Sequence, residues 1–186
     1  MTKQTLFEVI QSDDYLVLDT ETTGLHNGAE ICQIAVIEST GEVLLDTLVK
    51  PVNPIPAEAT RIHGITNEMV ANAPAFPLDT LYEMLFGRQV IVYNVDYDVS
   101  MLYSSVDAAS LFTVDWWGIA DWHCAMRPFA EIYGEWNEYR QNYKWQSLST
   151  ACKFYKIPIT EAHSALADCI STLAICRAMA AKESKT

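Results

Sequence analysis

The hydrophobic and polar positions along the chain predict five strands separated by helices. Predominantly apolar runs at 16–18, 31–37 and 43–49, rich in aliphatic and β-branched residues, are typical of buried strands. A short glycine-containing turn joins the second run to the third, which predicts an antiparallel hairpin. A fourth strand is predicted at 90–93, and residues 116–122 have the pattern of a fifth, edge strand.

Segments with apolar residues three or four positions apart predict the helices. These segments lie at 1–14, 57–62, 66–70, 78–86, 97–105, 125–133, 147–155 and 163–182. The polar and aromatic segment 134–144 has no clear period, and we interpret it as a loop or a frayed helix. Strands that alternate with helices indicate a single α/β domain over residues 1–186, built on one mixed sheet.

The composition is that of a folded protein without membrane segments. Half of the 186 residues are hydrophobic, yet no apolar run approaches the length of a membrane span. Residues 1–5 lack the basic and apolar regions of a secretory signal. The five cysteines form no Cys-x-x-Cys pair, which argues against a disulfide framework or a zinc ribbon. We therefore expect a cytoplasmic protein with no membrane partner.

The net charge of −12 at pH 7 is unevenly distributed. Residues 1–122 hold 18 acidic and 4 basic side chains, whereas residues 123–186 hold 6 acidic and 8 basic ones. Nucleic-acid-binding proteins usually show a basic footprint that neutralises phosphates, and this chain as a whole lacks one. Charge alone therefore favours no function, and a polyanion is expected to approach the last third of the chain.

Asp19 and Glu21 directly follow the first apolar run and are two positions apart. Residues i and i+2 of a strand project from the same face, so the two carboxylates are expected side by side at the end of a buried strand. Their mutual repulsion favours a hard divalent cation with oxygen ligands. Two solvated acids at a strand end are the commoner interpretation of such a pair taken alone.

Two further acidic clusters also follow apolar elements. Asn94, Asp96 and Asp98 come after the predicted fourth strand. If that strand is parallel to the first, they lie at the carboxyl edge of the sheet, where ligands of α/β proteins gather. His163 and Asp168 lie near the start of the last predicted helix. Each cluster alone is equally explained by a helix-dipole contact or a structural histidine.

Together and in order, the three clusters resemble a known family. Asp-x-Glu on the first strand, Asn-x-x-aromatic-Asp in mid-chain and His-x-x-x-x-Asp further on look like the motifs of the DnaQ-like DEDDh 3′–5′ exonucleases. This family includes the polymerase III proofreading subunit, exonuclease X and RNase T. The resemblance runs from about Tyr15 to Arg177, and residues 61–70 resemble a segment between its first two motifs. It implies an RNase H-like mixed sheet of about five strands flanked by helices.

The resemblance also implies a role for each motif residue. Four catalytic carboxylates are expected to bind two Mg²⁺ or Mn²⁺ ions: Asp19, Glu21, Asp98 and Asp168. His163 is expected to be the general base, because Ser164 occupies the position that holds tyrosine in the other branch of the family. Asp96 competes with Asp98 on spacing alone, and the match of Asn94 and Tyr97 to the motif selects Asp98.

Substrate contacts are expected beside the motifs. The candidate substrate-binding residues are Thr20, Thr22, Thr23, Gly24, Leu25, His63, Ile65, Asn94 and Tyr97. Tyr93 and Tyr97 stand where many relatives have His and Phe. These two differences are expected to alter how the terminal nucleotide is held. The aromatic and basic segment 136–145 has two open interpretations: a guide for a single strand, or the edge of a Trp/Tyr-rich core with a solvated basic face.

The expected function is that of a metal-dependent 3′–5′ exonuclease that releases 5′-nucleoside monophosphates from a free 3′ end. DNA is favoured over RNA, in its single-stranded form. The alternatives are an exoribonuclease of the RNase T or oligoribonuclease kind and a non-catalytic, polymerase-associated nucleic-acid-binding module. A DNA polymerase or a second copy of the chain is a further candidate partner. The five intact motif residues argue against a pure binder, and the lack of a long tail disfavours a tethered proofreading subunit.

Overall fold

Strands and helices alternate along the chain as predicted. The computed structural model describes residues 4–159 and 163–183, so the first three residues of the predicted N-terminal helix lie outside the described part. The strands are β1 (Leu16–Thr22), β2 (Ile31–Glu38), β3 (Val43–Leu48), β4 (Gln89–Val92), β5 (Asp121–Cys124), β6 (Trp136–Asn137) and β7 (Asn142–Tyr143). The helices are α1 (Leu6–Ser12), α2 (Ala57–His63), α3 (Asn67–Val70), α4 (Leu78–Leu85), α5 (Val95–Ala108), α6 (Trp116–Ile119), α7 (Met126–Tyr133), α8 (Leu148–Tyr155) and α9 (Ala165–Glu183).

Five strands form a mixed sheet in the order β3-β2-β1-β4-β5. The pairs β1–β2 and β2–β3 are antiparallel, whereas β4 is parallel to both β1 and β5. The predicted hairpin, the parallel placement of the fourth strand and the edge position of the fifth are therefore confirmed. Because β1 and β4 are parallel neighbours, the residues that follow each of them lie at the same edge of the sheet.

The sheet is covered by apolar layers on both faces. One layer contains α1, α7, α8 and α9 and receives Val17 from β1. The other contains α4, α5 and α6 and receives Leu16 and Leu18. Successive residues of a strand point to opposite faces, so β1 contributes fully buried side chains to both layers. Each such aliphatic side chain stabilises the fold by about 1.5–3 kcal/mol, so β1 is firmly held at the centre of the sheet.

The apolar run at 116–122 was predicted as a strand, and this prediction is wrong in its first half. Trp116 to Ile119 form the short helix α6, and only the segment from Asp121 pairs with β4. Trp116 is fully buried edge-on against Phe76, and its carbonyl accepts a hydrogen bond from Trp122 Nε1 at 2.7 Å. Packing of these large rings therefore overrides the β propensity of the run.

The segment 134–144 is a β-hairpin, so the prediction of a loop or frayed helix is wrong. β6 and β7 pair through Trp136–Tyr143 and Asn137–Asn142. The side chain of Asn137 accepts hydrogen bonds from the backbone N–H groups of Tyr139 and Arg140, both at 3.1 Å, which closes the turn. Strands of two residues are too short to show a period in the sequence, which explains the error.

The described residues contain no helix with both the length and the apolar character that crossing a membrane requires. All five cysteines are free thiols, and all but Cys124 are buried.

Candidate active site

The end of β1 presents different side chains to the two faces of the sheet. Asp19 and Glu21 lie on the α9 side, whereas Thr20 and Thr22 lie on the α5 side. This separation follows from the two-residue repeat of an extended strand. A register shift between Glu21 and Thr22 in the pairing with β2 ends the regular strand at this point.

Three carboxylates converge on the α9 side. Oxygen atoms of Asp19, Glu21 and Asp168 all lie within 4.8 Å of one another. Asp168 stands in the first turn of α9, which can approach the sheet closely because its inward residues, Ala165 and Cys169, are small and fully buried. Strand β1 and helix α9 thus bring together acids that are 147 or more positions apart in the sequence.

Asp98 lies next to this group but outside the set of three. Its side chain is 4% exposed and its Oδ1 accepts a hydrogen bond from Thr20 Oγ1 at 2.8 Å. It is presented by the first turn of α5, which begins at Val95, two residues earlier than predicted. Asp96, the competing acid, is exposed and forms an ion pair with Arg127. Of the two aspartates, only Asp98 therefore points into the interior.

Burial raises the pKa of each of the four acids Asp19, Glu21, Asp98 and Asp168, and mutual repulsion adds to the rise for the first three. The pKa of Asp19 is raised well above its usual value by burial first and then by the charges of Asp98, Asp168 and Glu21. Burial followed by the charges of Asp168 and Asp98 raises the pKa of Glu21 to about 8. The pKa of Asp98 rises to about 7, mainly through burial, and the hydrogen bond from Thr20 opposes the rise. Burial raises the pKa of Asp168, and the nearby His163 opposes the change.

No lysine or arginine forms an ion pair with these carboxylates among the residues that the structure describes. The ion pairs found there are Arg61–Glu58, Arg88–Asp14, Arg127–Asp96 and Lys144–Glu135, all away from the cluster. A group of buried carboxylates without a cation is electrostatically unfavourable. The donor set consists of carboxylate oxygens only, which suits a hard divalent cation such as Mg²⁺ or Mn²⁺.

The sequence predicted that His163 is the first residue of the last helix. In the structure it lies just before α9, which begins at Ala165. Its backbone is left-handed, with φ of 67°, and its side chain is exposed. It lines one cleft with Asp168, Ser147 and Ser149. The ring is therefore open to solvent on the same side of the molecule as the acidic cluster.

A hydrogen-bonded network fixes the turn after β1 on the α5 side. The hydroxyl oxygen of Tyr97 lies 2.5 Å from Thr22 Oγ1, and both lie 3.0 Å from the carbonyl oxygen of Gly24. The φ of Gly24 is 152°, and a Cβ there would lie 2.9 Å from the ring of His26. Leu25, the next residue, is 86% exposed and is free to contact a ligand. Asn94 is half-buried at the start of α5 and accepts backbone hydrogen bonds from Tyr97 and Asp98.

His63 is held against the same turn in a defined tautomer. Its Nδ1 accepts a hydrogen bond from the backbone N–H of Ile65 at 3.0 Å, so Nε2 carries the proton and donates to the carbonyl of Thr22 at 3.2 Å. Burial lowers the pKa of His63, and a neutral ring matches this bonding. The candidate substrate-binding residues 20–25 and 94–97 therefore meet at one edge of the sheet, together with His63 and the buried Ile65.

Glu30 is a residue of this region that the sequence analysis missed. It is 2% exposed, and its carboxylate accepts hydrogen bonds from the backbone N–H groups of Val52 and Asn53 and from the Asn53 amide, at 2.6–2.9 Å. Its carbonyl oxygen accepts a hydrogen bond from the backbone N–H of Thr23 at 2.8 Å, and its own N–H donates to Thr23 Oγ1 at 3.0 Å. Glu30 thus ties the turn after β1 to the connection that follows β3. A single acid before an apolar run carries no signal of such a role.

Comparison with known proteins agrees with this arrangement. The RNase T family, described as exonuclease, matches residues 16–176. The uncharacterized exonuclease CP81 of Escherichia phage 186 is 42% identical over 176 residues, which cover 90% of this chain and 89% of that protein. The chain belongs to the DnaQ-like exonuclease family.

Other relatives of this DnaQ-like exonuclease match over different lengths. The DNA polymerase III subunit epsilon of Rickettsia conorii is 35% identical over 95 residues, which cover 47% of this chain and 41% of that subunit. The solved structure of exonuclease X in complex with 5′ overhanging duplex DNA superposes with a TM-score of 0.67 at 24% identity, over 92% of this chain and 94% of that one. The predicted RNase H-like sheet of five strands flanked by helices is confirmed, and the protein is a 3′–5′ exonuclease by family.

Proposed function

We propose that this DnaQ-like exonuclease removes 5′-nucleoside monophosphates one at a time from the 3′ end of single-stranded DNA, with two divalent cations. The observation that carries the proposal is the convergence of Asp19, Glu21 and Asp168, whose carboxylate oxygens lie within 4.8 Å of one another and form no ion pair with a lysine or arginine of the described chain. The proposed metal ligands are these three acids and the adjacent Asp98. Bound Mg²⁺ or Mn²⁺ supplies activation of water and stabilisation of the leaving 3′ oxygen.

The side chains around this cluster have separate tasks in the proposed reaction. His163, open to solvent beside Asp168, accepts the proton of the attacking water. The bond between phosphorus and the 3′ oxygen then breaks, and the water oxygen stays on the phosphate of the released nucleotide. The hydrogen bond from Thr20 keeps the carboxylate of Asp98 in one orientation while this happens.

Residues on the α5 side are proposed to hold the terminal nucleotide. The network of Thr22, Gly24 and Tyr97 fixes the turn after β1, and His63 braces it from the opposite side. The exposed Leu25 is placed to pack against the terminal base, and Asn94 lines the start of α5. A rigid turn beside the acids would position the last phosphodiester bond for attack.

DNA is the proposed substrate because of the relatives. Exonuclease X, which has the same fold, was solved with 5′ overhanging duplex DNA, and polymerase III epsilon subunits are DNA polymerase subunits by name. Incubation with DNA and RNA oligonucleotides of one sequence tests this choice, with Mg²⁺ or with EDTA. We expect 5′-mononucleotides from DNA in Mg²⁺ only. Equal or faster release from RNA would make the enzyme an exoribonuclease instead.

His163→Ala tests the proposed roles at the cluster. We expect a loss of about 10²- to 10⁴-fold in kcat, because general-base assistance contributes that much, and unchanged Mn²⁺ affinity by calorimetry. Asp168→Ala is the matched comparison, and here we expect both activity and metal affinity to fall. If His163→Ala also abolished Mn²⁺ binding, His163 would be a ligand and the assignment of the base would be wrong.

A further inference from the structure

The β6–β7 hairpin presents a surface that the proposed cluster does not explain. Four large aromatic side chains between residues 136 and 145 are open to solvent: Trp136 (42%), Tyr139 (95%), Tyr143 (37%) and Trp145 (57%). They form no part of either core layer. The interpretation of this segment as the edge of a Trp/Tyr-rich core is therefore wrong. Grouped exposed aromatic side chains are typical of binding surfaces.

Local contacts hold these rings in place. Trp136 and Tyr143 face each other across the two strands in an edge-to-face pair, with ring centroids 5.1 Å apart. At the base of the hairpin, Lys144 Nζ pairs with Glu135 at 2.7 Å, and the backbone N–H of Lys144 donates to the carbonyl of Glu135 at 2.8 Å. The aromatic surface is thus ordered before any ligand arrives, which lowers the entropy cost of binding.

The hairpin is continuous with the cleft of the acidic cluster. The hydroxyl of Tyr93, at the end of β4, donates to the carbonyl of Gln146 at 2.9 Å, just after the hairpin. Ser147 and Ser149, which come next, line the cleft that contains Asp168. A chain bound at the acids and leaving along these serines would reach Tyr143 and Trp145.

The chemistry of the hairpin suits nucleotides. Arg140 has no carboxylate partner in the part of the chain that the structure describes, and it lines a groove with Asn142 and Trp145. Bases stack on aromatic rings and on guanidinium planes, and amides bond to their edges. Residues 134–145 contain no Leu, Ile, Val or Met, so the large apolar groups that the hairpin presents are all aromatic rings.

We propose that the β6–β7 hairpin is a stacking platform for the single-stranded part of the substrate that lies upstream of its 3′ end. The inference rests on the proposed nuclease function and deepens it, since it names strands several nucleotides long as the preferred substrate. The platform contributes to binding and takes no part in the chemical step.

Kinetics with two substrates of different length test the platform. For Trp145→Ala we expect KM for the oligonucleotide dT12 to rise about tenfold, from the loss of one stacked base, with kcat unchanged. Hydrolysis of the p-nitrophenyl ester of thymidine 5′-monophosphate, which is too short to reach the hairpin, is expected to stay the same. Trp145→Phe keeps a stacking ring and should restore most of the affinity. Trp117→Ala removes a similarly exposed (47%) tryptophan from α6 and should leave the kinetics with both substrates unchanged.

A binding measurement separates this proposal from the nuclease function. In EDTA, the anisotropy of 5′-fluorescein-labelled dT12 should report weaker binding by Trp145→Ala and by Arg140→Ala than by the unchanged protein. If the unchanged protein binds dT12 but never cleaves it, the nuclease proposal fails while the platform stands. Wild-type affinity in both variants would overturn the platform. The platform would also be overturned if the variants slowed hydrolysis of the short ester to the same extent, or if they weakened binding to a protein and not to dT12.

Discussion

The floor of the site, which consists of the carboxylates of Asp19, Glu21, Asp98 and Asp168, and the β6–β7 hairpin differ in how they are stabilised. The acids of the floor lie on or beside the buried strand β1, and Asp168 joins Asp19 and Glu21 from a distant part of the sequence. The hairpin closes over eight residues, is exposed along nearly its whole length and is stabilised by neighbours in sequence. One region places charge where it is unfavourable, and the other places apolar rings in water.

The comparison indicates where each region gains from a ligand. Cations relieve the repulsion of the floor, so the proposed metal ions contribute to the stability of the fold as well as to chemistry. The turn and the strand pairing of the hairpin have internal partners, whereas its ring faces and the guanidinium of Arg140 remain free to contact a ligand. Loss of the cluster should therefore abolish turnover, whereas loss of a ring should change only how well a strand is held. Three measurements test this division, beginning with the largest effect.

Asp19→Asn should reduce kcat by at least about 10³-fold, because the amide keeps the shape of the side chain but removes the charge that would hold a cation. The matched control is Asp96→Asn, an exposed acid on the neighbouring helix that pairs with Arg127. It should retain activity within about twofold. Release of mononucleotides from labelled DNA measures both, and a fully active Asp19→Asn enzyme would remove the acidic cluster from the mechanism.

The pH dependence of unfolding should reveal the repulsion in the floor. The folded-state pKa values of Glu21, about 8, and Asp98, about 7, lie above their ordinary values of 4.5 and 3.8. Between about pH 4.5 and 8 the folded protein therefore binds more protons than the unfolded chain, and its stability falls as the pH rises. In EDTA, the Tm should decrease from pH 5 to pH 8, and added Mn²⁺ should reverse the decrease. Asp19→Asn should flatten the metal-free curve, and a Tm that rises over this interval would contradict the assignment.

Trp136→Ala should have the smallest effect on the fold. Its pairing with Tyr143 is worth about 0.5–1.5 kcal/mol, so urea unfolding should show a loss of that order. Phe129→Ala, which removes a fully buried ring between α7 and α8, should cost about 3–5 kcal/mol. Similar losses for the two variants would mean that the hairpin belongs to the cooperative core.

The same contrast explains what the sequence predicted. Strands β1 to β4 coincide with apolar runs of the sequence, so their positions were predicted, whereas the parallel neighbourhood of β1 and β4 was only a condition of the site prediction. The DnaQ-like motifs were recognised because each keeps a fixed internal spacing. The hairpin depends on the Asn137 cap and one ring pair, which leave no period. Glu30 was missed because its burial is created by residues 52 and 53, far away in sequence.

His163 shows a different limit of sequence patterns. Its spacing from Asp168 fits a helix, yet the described helix starts at Ala165 and the histidine has a left-handed backbone. The side chain thereby points away from the regular helical surface and into the open cleft. Spacing identified the residue as a member of a motif, whereas its orientation depends on a backbone conformation that no pattern of residue types encodes.

Helix α9 has a consequence for protein synthesis. It covers β1 and β2 through Ala165 and Cys169, and the same turn carries Asp168. A ribosome adds these residues only after the strands and helices β1 to β7 and α1 to α8, so a nascent or prematurely ended chain lacks both a covering helix of the core and the third acid. Such a molecule is expected to lack the proposed metal site, because one docking event completes the fold and assembles the acidic cluster.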